Sequence, residues 1–335
     1  MTADLTEVPS GRGVEPRPPV RRDAPADHPR PPWRDRLTRL DVKFTPYLFI
    51  APFFVLFAVI GLFPLLYTGY VSMFDWELGG DEHPFVGLEN YATLLADDQF
   101  WNAMFNTISI FVLSSVPQMI TAVLLAALLN TALRARTAWR MGVLLPYVAS
   151  LVALAIIFSN LFGKQYGLIN TFLDAVGLSP VDWQGNWFAS HVAIATMVNW
   201  RWTGYNALIV LAAMQAIPRE VHEAALVDGA GAVRRFVSIT LPLLRPTIIF
   251  VVITSTIGGL QIFTEPKLFD PAGGSGGGFS HQYQTVVLYL YQAGFQDFDL
   301  GYASAMAWIL FLVVLVIAAA NFFLTRRIAS TGESE

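Results

Sequence analysis

The stretch EAALVDGAGAVRRFVSITLP, residues 223–242, places Glu223, Asp228, Arg234 and Arg235 between two of the most apolar segments of the chain. Across 335 residues, 54% are hydrophobic and only 14% are charged, and the mean hydropathy is +0.50. Such a low charge content, with apolar residues in long blocks, is typical of a polytopic membrane protein. The quoted stretch is then a polar loop between two membrane spans.

Residues 1–45 are rich in Pro and Arg and are expected to form a disordered tail that is not cleaved as a signal peptide. Six apolar blocks follow this tail. Each block is long enough to cross a hydrocarbon core of about 30 Å, because a helix rises about 1.5 Å per residue. Prolines inside several blocks indicate that the helices pack as a bundle. The sequence predicts an all-α membrane protein with six transmembrane helices, at about 46–74, 103–130, 142–162, 188–217, 244–265 and 302–325.

Lys and Arg are distributed unevenly among the segments that connect these blocks. Eighteen lie in one alternating set of connections, whereas the other set holds only Lys164 and Lys267. Because basic residues are enriched on the cytoplasmic side, both termini are predicted to be cytoplasmic, an N-in/C-in topology. The membrane domain is expected to cover 46–328, with a cytoplasmic tail at 329–335 and the opening stretch within a cytoplasmic loop at about 218–242.

The loop has the features of a short helix followed by a break. Pro218 suits the first turn of a helix, and Glu220 then lies near the positive end of the helix dipole. Gly229 and Gly231 end the helix. Small apolar residues, Val221, Ala224 and Ala225, are predicted to share one face, opposite a polar face. Amphipathicity alone leaves two interpretations open, a docking surface for another protein and a solvated linker on the lipid headgroups.

The stretch resembles the EAA loop in the permease subunits of binding-protein-dependent ABC importers. That pattern is E-A-A, three residues, G, nine residues, I, one residue and L-P. The matching residues are Glu223, Ala224, Ala225, Gly229, Ile239, Leu241 and Pro242, with Asp228 in the same loop. The resemblance extends over about 45–328. FVGLENYATLLADDQFWNAMFNT (85–107) and GYASAMAWILF (301–311) are similar to the sugar-importing, maltose-type branch.

This resemblance implies a type I permease fold in the bacterial plasma (inner) membrane. It implies that the loop docks into a cleft of a cytoplasmic ATPase dimer, whose closure switches the membrane domain between inward-open and outward-open states. The implied partners also include a second permease subunit, giving a heterodimer, an external solute-binding protein and the sugar itself. The chain would bind no cofactor, since ATP and Mg²⁺ would stay on the ATPase.

Motifs for catalysis are missing from the sequence. No phosphate-binding G-x-x-x-x-G-K-[ST] loop and no G-x-S-x-G elbow occur, there is no cysteine, and the five histidines lack metal-ligand spacing. The chain is therefore not expected to be an enzyme, and no nucleic acid is expected among its partners. A stand-alone secondary carrier is an alternative, but no inverted repeat is evident. An intramembrane enzyme would have only Arg201, His191 and Glu265 as candidate groups.

Polar residues at membrane depth usually face a bundle interior or a cavity, so they are candidates for a substrate pathway. Amides, a charge and indoles suit sugar hydroxyls and CH faces, although the same groups also join helices. Two stripes are predicted, one on the fourth block (Asn199, Arg201, Trp202, Thr203, Asn206) and one on the fifth (Thr254, Gly258, Gln261, Glu265).

The expected substrate is a di- or oligosaccharide. The segments FTEPKLFDPAGGSGGG (263–278) and YQTVVLYLYQAGF (283–295) resemble permeases for cellobiose or other β-glucosides. A permease for another solute, such as glycerol phosphate, is the alternative.

Overall fold

The computed structural model describes residues 45, 47–131, 134–269 and 276–330, and in the last helix its side chains are described as far as Phe323. The predicted amino-terminal tail at 1–45, apart from Thr45, and residues 331–335 of the predicted carboxy-terminal tail lie outside this part of the chain. The described residues are mainly helical, with two isolated antiparallel bridges, Phe74 to Phe85 and Glu77 to Asp299. The predicted all-α class is confirmed.

The helices are numbered here in chain order. They are α1 (Tyr47–Val71), α2 (Glu89–Ala96), α3 (Asp98–Leu129), α4 (Arg136–Val148), α5 (Leu151–Leu161), α6 (Leu168–Ala175), α7 (Trp187–Ala216), α8 (Arg219–Val227), α9 (Ala232–Leu243), α10 (Arg245–Gly259), α11 (Thr264–Phe269), α12 (Val286–Phe295) and α13 (Leu300–Ser330).

Three of these helices are both long and apolar enough to cross a membrane: Tyr47–Val71, Asp98–Leu129 and Leu300–Phe323. The number rises to five if each of two bent helix pairs counts as one span. The predicted fourth span corresponds to α7, which has 30 residues but carries Asn, Arg and His among its apolar residues, which lower its hydropathy. Six spans and an N-in/C-in orientation therefore remain predictions.

Two of the predicted blocks are not continuous helices. Within the third, α4 and α5 meet at 86°, because Ala149 is extended and the Ser150 side chain caps α5 by accepting a hydrogen bond from the Ala153 amide. Within the fifth, α10 ends at Gly259 and the chain resumes as α11 only at Thr264. The prediction of a single polar stripe from Thr254 to Glu265 is thus wrong, because these residues do not lie on one helix.

The chain divides into two compact units, residues up to Phe63 and residues from Pro64 onward. The first unit includes a π-helical stretch, Phe57–Leu62, in which the Phe63 amide donates to the Ala58 carbonyl. Its apolar side chains, such as Phe49 and Ile60, are exposed.

Helices α3 and α7 form the centre of the second unit, and they pack along much of their length. Three clusters of buried apolar side chains surround this pair, among them Ala103 and Met306, Ile110 and Ile194, and Ala126 and Leu211. Helix α4 approaches α7 at Gly204, where a Cβ atom would lie 1.8 Å from the Val143 carbonyl oxygen. Only glycine permits this contact between the two backbones.

Beside the start of α3, Asp97 joins three helices. Its side chain caps α3 by accepting from the Gln99 amide, and it also accepts hydrogen bonds of 2.6 Å from the hydroxyls of Tyr289 on α12 and Tyr302 on α13. Burial raises the pKa of the Asp97 carboxyl, but these hydrogen bonds outweigh it, and the net pKa is lowered. Asp97 is thus a charged anchor for α12 and α13.

Candidate coupling loop and membrane cavity

The loop contains the predicted short helix, which begins one residue after Pro218 and not with it. Pro218 is the residue before α8, and Glu220 lies in the first turn of that helix. The helix ends at Val227 and the chain reverses at Gly229, which has a φ of +73°. Nothing lies within 4 Å of the position that a Cβ atom of Gly229 would occupy, so the glycine is required by its backbone conformation and not by space.

The end of α8 is a Schellman motif. The Ala230 amide donates to the Ala225 carbonyl at 2.9 Å, and the Gly229 amide donates to the Leu226 carbonyl at 3.0 Å. These two bonds satisfy carbonyls that would otherwise lack partners at the helix end. The spacing from Ala225 to Gly229 in the EAA pattern is the spacing that this motif needs.

After the turn, α9 carries the chain back towards the bundle. Its segment Phe236–Thr240 is π-helical, and the Leu241 amide donates to the Phe236 carbonyl. Pro242 follows directly; it lacks an N–H and its ring excludes a regular α-helical contact with the preceding turn. Half-buried Leu241 and fully buried Leu244 pack against the apolar cluster of α3 and α7, so the loop is anchored in the bundle core.

The outer side of the loop is exposed and partly apolar. Val227 is 88% exposed and Val233 is 78% exposed, and Leu226 is also exposed. Glu223, Ala224 and Asp228 are exposed on α8 and its end, while Ala225 is buried. The predicted face of small residues is therefore divided: Ala225 packs inward, Ala224 lies outward, and Val221 is half-buried. The outer surface also includes three larger apolar side chains that were not predicted from the sequence, Leu226, Val227 and Val233.

A cavity of about 240 Å³ lies between α3, α4, α7 and α10. Four of the predicted pathway residues line it, namely Trp202, Asn206, Thr254 and Gly258. The other lining side chains comprise hydroxyls, an amide, aromatic rings and aliphatic groups, and none is charged: Ser115, Gln118, Tyr147, Val198, Tyr205, Phe250, Ser255 and Ile262, with Gly259.

The amide of Asn206 organises the polar side of this cavity. Its Nδ2 donates to Gln118 Oε1 at 3.0 Å and to Ser255 Oγ at 3.3 Å, so it links α7 to α3 and α10. Both Asn206 and Gln118 are 3% exposed. Ser115, Gln118 and Tyr147 were not predicted from the sequence. The polar residues that interrupt the second apolar block are the signal that marks Ser115 and Gln118.

Of the five predicted residues that do not line the cavity, Arg201 and Glu265 pair with each other, while Asn199, Thr203 and Gln261 have other surroundings. Asn199 and Thr203 line a separate groove with Trp139 and Trp200, and the Thr203 hydroxyl donates to the Asn199 carbonyl and side-chain oxygens. They were predicted to share one stripe with Trp202 and Asn206 as part of the pathway. They line this other groove instead, because α4 packs on α7 so that its Tyr147 lines the cavity and its Val143 lines the groove. Gln261 is exposed in the break after α10.

Arg201 and Glu265, from the two predicted stripes, form an ion pair. Arg201 Nη1 lies 3.9 Å from Glu265 Oε1, and the two side chains are 20% and 6% exposed. The guanidinium carbon also lies 5.5 Å from the ring centroid of Trp202 and 5.8 Å from that of Tyr147. The buried Nε of Arg201 has no hydrogen-bond partner.

His191, the remaining candidate for intramembrane catalysis, is hydrogen-bonded on both ring nitrogens. Its Nδ1 lies 2.9 Å from Ser109 Oγ and its Nε2 lies 2.9 Å from the Gln282 carbonyl. The ring joins α7 to α3 and to the segment before α12, a packing role.

Comparison with known proteins agrees with this architecture. The lactose transport system permease protein LacF of Rhizobium radiobacter is 38% identical over 84% of this chain and 93% of its own length. The arabinooligosaccharides transport system permease protein AraP of Halalkalibacterium halodurans is 35% identical over 84% of this chain and 88% of its own. The trehalose/maltose transport system permease protein MalF of Thermococcus litoralis is 34% identical over 80% and 89%.

A crystal structure of a bacterial ABC transporter involved in the import of the acidic polysaccharide alginate contains a chain with the same fold, with a TM-score of 0.73, 24% identity, and coverage of 88% of this chain and 99% of that one. The family model for the binding-protein-dependent transport system inner membrane component matches residues 101–330. This protein is therefore a member of that family, a multi-pass inner-membrane permease subunit of an ABC transporter without an ATPase site of its own.

Proposed function

We propose that this protein is a permease subunit of an ATP-driven importer for a di- or oligosaccharide. The observation that carries the proposal is the EAA loop itself: a rigid helix, turned at Gly229, presents exposed apolar residues outward while Leu241 and Leu244 hold its other end in the bundle core. A force applied at the exposed surface would reach the core because each link is a packed or hydrogen-bonded contact.

In this proposal the outer surface of the loop docks on a cytoplasmic ATPase. Glu223 and Asp228 supply charge, and Val227 and Val233 supply apolar area, a combination that suits the core and rim of a protein interface. ATP and Mg²⁺ bind the ATPase and no cofactor binds this chain. One loop serves one ATPase subunit, so the assembly contains an ATPase dimer, a second permease and an external solute-binding protein. The topology is six spans with both termini cytoplasmic.

The cavity supports a saccharide as the transported solute. Gln118, Asn206 and Ser255 offer hydrogen-bonding groups on one side, while Trp202, Tyr147 and Tyr205 offer aromatic surface for the CH faces of a sugar ring. Relatives named for transport of lactose, arabinooligosaccharides and trehalose/maltose point to the same class of solute. Within that class, cellobiose or another β-glucoside is the substrate that we propose.

A second candidate is a glycerol phosphate. The sn-glycerol-3-phosphate transport system permease protein UgpA of Escherichia coli is 30% identical over 84% of this chain. Arg201, a cation near two rings of the cavity wall, is the feature that would favour an anion.

Reconstitution of the complete assembly tests the proposal. Proteoliposomes that contain both permeases and the ATPase, supplied with the external binding protein, should take up radiolabelled cellobiose when ATP is present on the ATPase side. Glycerol 3-phosphate, lactose and maltose complete the panel. Uptake of glycerol 3-phosphate without uptake of any saccharide would overturn the proposal, and so would ATP-driven transport by this chain in the absence of the other subunits.

A further inference from the structure

We propose that Glu265 sets the charge selectivity of the transport cavity by neutralising Arg201, so that the pathway accepts uncharged saccharides and disfavours anionic ones. The inference rests on the proposed function and adds a residue that determines specificity. Its basis is that an ion pair lies beside a cavity whose own lining is uncharged.

The position of Arg201 makes its charge relevant to a bound solute. It is the fifteenth of the 30 residues of α7, and its guanidinium lies against Tyr147 and Trp202, whose rings form part of the cavity wall. Charges in such a site are screened far less than they are in water. An unpaired cation at this place would attract any carboxylate or phosphate that enters the cavity.

Glu265 is placed to cancel that attraction. Its side chain is almost completely buried. Glu265 lies three residues beyond the cavity-lining Ile262, on α11, the short helix that follows the break in the fifth block. The pair leaves a local dipole in place of a net charge. Removal of Glu265 alone would leave Arg201 uncompensated, which is costly for a buried cation unless another anion takes the place of the carboxylate.

The contact with Glu265 does not use all the hydrogen-bond donors of Arg201. The contact with Glu265 is a single one of 3.9 Å, longer than a hydrogen bond, and the buried Nε has no partner. Guanidinium groups bind carboxylates best through two parallel N–H donors, and this arrangement is not used here. Arg201 itself does not line the cavity, so its charge acts on a solute from beside the rings of Tyr147 and Trp202.

The test compares two disaccharides that differ at one group, cellobiose and cellobiouronic acid, in which one CH₂OH is replaced by a carboxylate. Equilibrium binding is measured by calorimetry on the purified assembly without the external binding protein, so that only the membrane cavity selects. In the wild type, cellobiose should bind and cellobiouronic acid should bind more weakly. In E265Q, the affinity ratio of acid to neutral sugar should rise about tenfold or more, and the gain should diminish at high salt.

The double variant R201Q/E265Q is the matched control. It removes both charges and leaves an uncharged amide at each position, so its affinity ratio should return to that of the wild type. An unchanged ratio in E265Q would overturn the inference, as would a raised ratio in the double variant. If E265Q does not accumulate in the membrane, the double variant still decides: assembly with loss of cellobiose binding would mean that the charged pair contacts the sugar directly, contrary to the inference.

The same measurements separate this inference from the proposed function. A wild-type assembly that binds neither cellobiose nor any other neutral sugar of the uptake panel contradicts the proposed substrate. The change in cellobiouronic acid binding between E265Q and R201Q/E265Q then still shows whether Glu265 suppresses the attraction of Arg201 for anions.

Discussion

The proposed coupling loop, at about 218–242, and the membrane cavity are built in different ways. In the loop, the contacts that fix the turn join residues at most five positions apart, such as Ala225 and Ala230. In the cavity, the central contact joins Gln118 and Asn206, 88 positions apart on two helices. A substitution at the turn can therefore displace α8 while the bundle stays assembled, whereas the polar centre of the cavity is part of the packing that holds the bundle together. Mutations in the two regions should separate coupling from assembly.

The largest effect is expected where the bundle packing itself depends on a single residue. Gly204→Val would place a Cβ atom 1.8 Å from the Val143 carbonyl oxygen, so α4 must move away from α7. Overpacking of this kind costs roughly 3 kcal/mol. We expect the protein to be nearly lost from the membrane, as measured by immunoblot. Gly258→Ala, with nothing within 4 Å of its Cβ position, should accumulate normally; equal amounts of both variants would contradict the close contact.

Gly229→Val tests a glycine that is required by its backbone conformation and not by close packing. At a φ of +73°, a β-branched residue is strained by roughly 1–2 kcal/mol, although the site has free space around it. The relaxed turn would misplace α8, and we expect sugar uptake to fall about tenfold or more while the protein remains in the membrane. ATPase activity should no longer respond to the loaded binding protein.

Gly231→Ala is the control for that variant, because Gly231 has a φ of −64° and open surroundings. It should transport sugar almost as well as the wild type. Normal uptake by Gly229→Val, or its disappearance from the membrane, would each argue against a coupling element that is independent of the bundle.

The sequence predicts the loop well because its structure is local. The helix that follows Pro218, the break at Gly229 and the return through Pro242 all follow from residues close in the chain. The cavity was predicted only in part. Trp202, Asn206, Thr254 and Gly258 do line it, but the break after Gly259 is not evident from an apolar block that continues to residue 265.

Helical periodicity also fails to show which side of α7 each neighbour covers. Asn199 and Thr203 share a stripe with Asn206 in the sequence, yet they line a different groove because of where α4 packs. The approach of α4 depends on Gly204, a residue that has no distinctive pattern in the sequence. Tertiary packing, which periodicity does not specify, decides these placements.

Asn206→Leu and Gln261→Leu sharpen the distinction between buried and exposed members of the predicted stripes. The first removes the donor to Gln118 and Ser255 and leaves a buried acceptor unpaired, at a cost of about 1–3 kcal/mol. We expect a severalfold loss of sugar uptake with a smaller loss of membrane protein. Gln261 is exposed, so Gln261→Leu should change uptake little. Equal uptake by the two variants in proteoliposomes would place the solute away from Asn206.

The smallest effect is expected from a charge on the outer surface of the loop. Glu223→Gln keeps the shape of an exposed side chain on α8 and leaves the Schellman turn intact, so only an electrostatic contact with the ATPase is lost. Exposed ion pairs contribute little, and we expect uptake to fall only about two- to fivefold. At high salt, where the contact is screened, the difference in uptake between the variant and the wild type should become smaller. Glu220→Gln, in the first turn of the same helix, is the matched control and should have less effect on uptake if docking involves the end of α8 near Gly229. The measurement is the initial rate of ATP-dependent sugar uptake at two salt concentrations. A larger loss for Glu220→Gln than for Glu223→Gln would move the docking surface to the start of the helix, away from the turn.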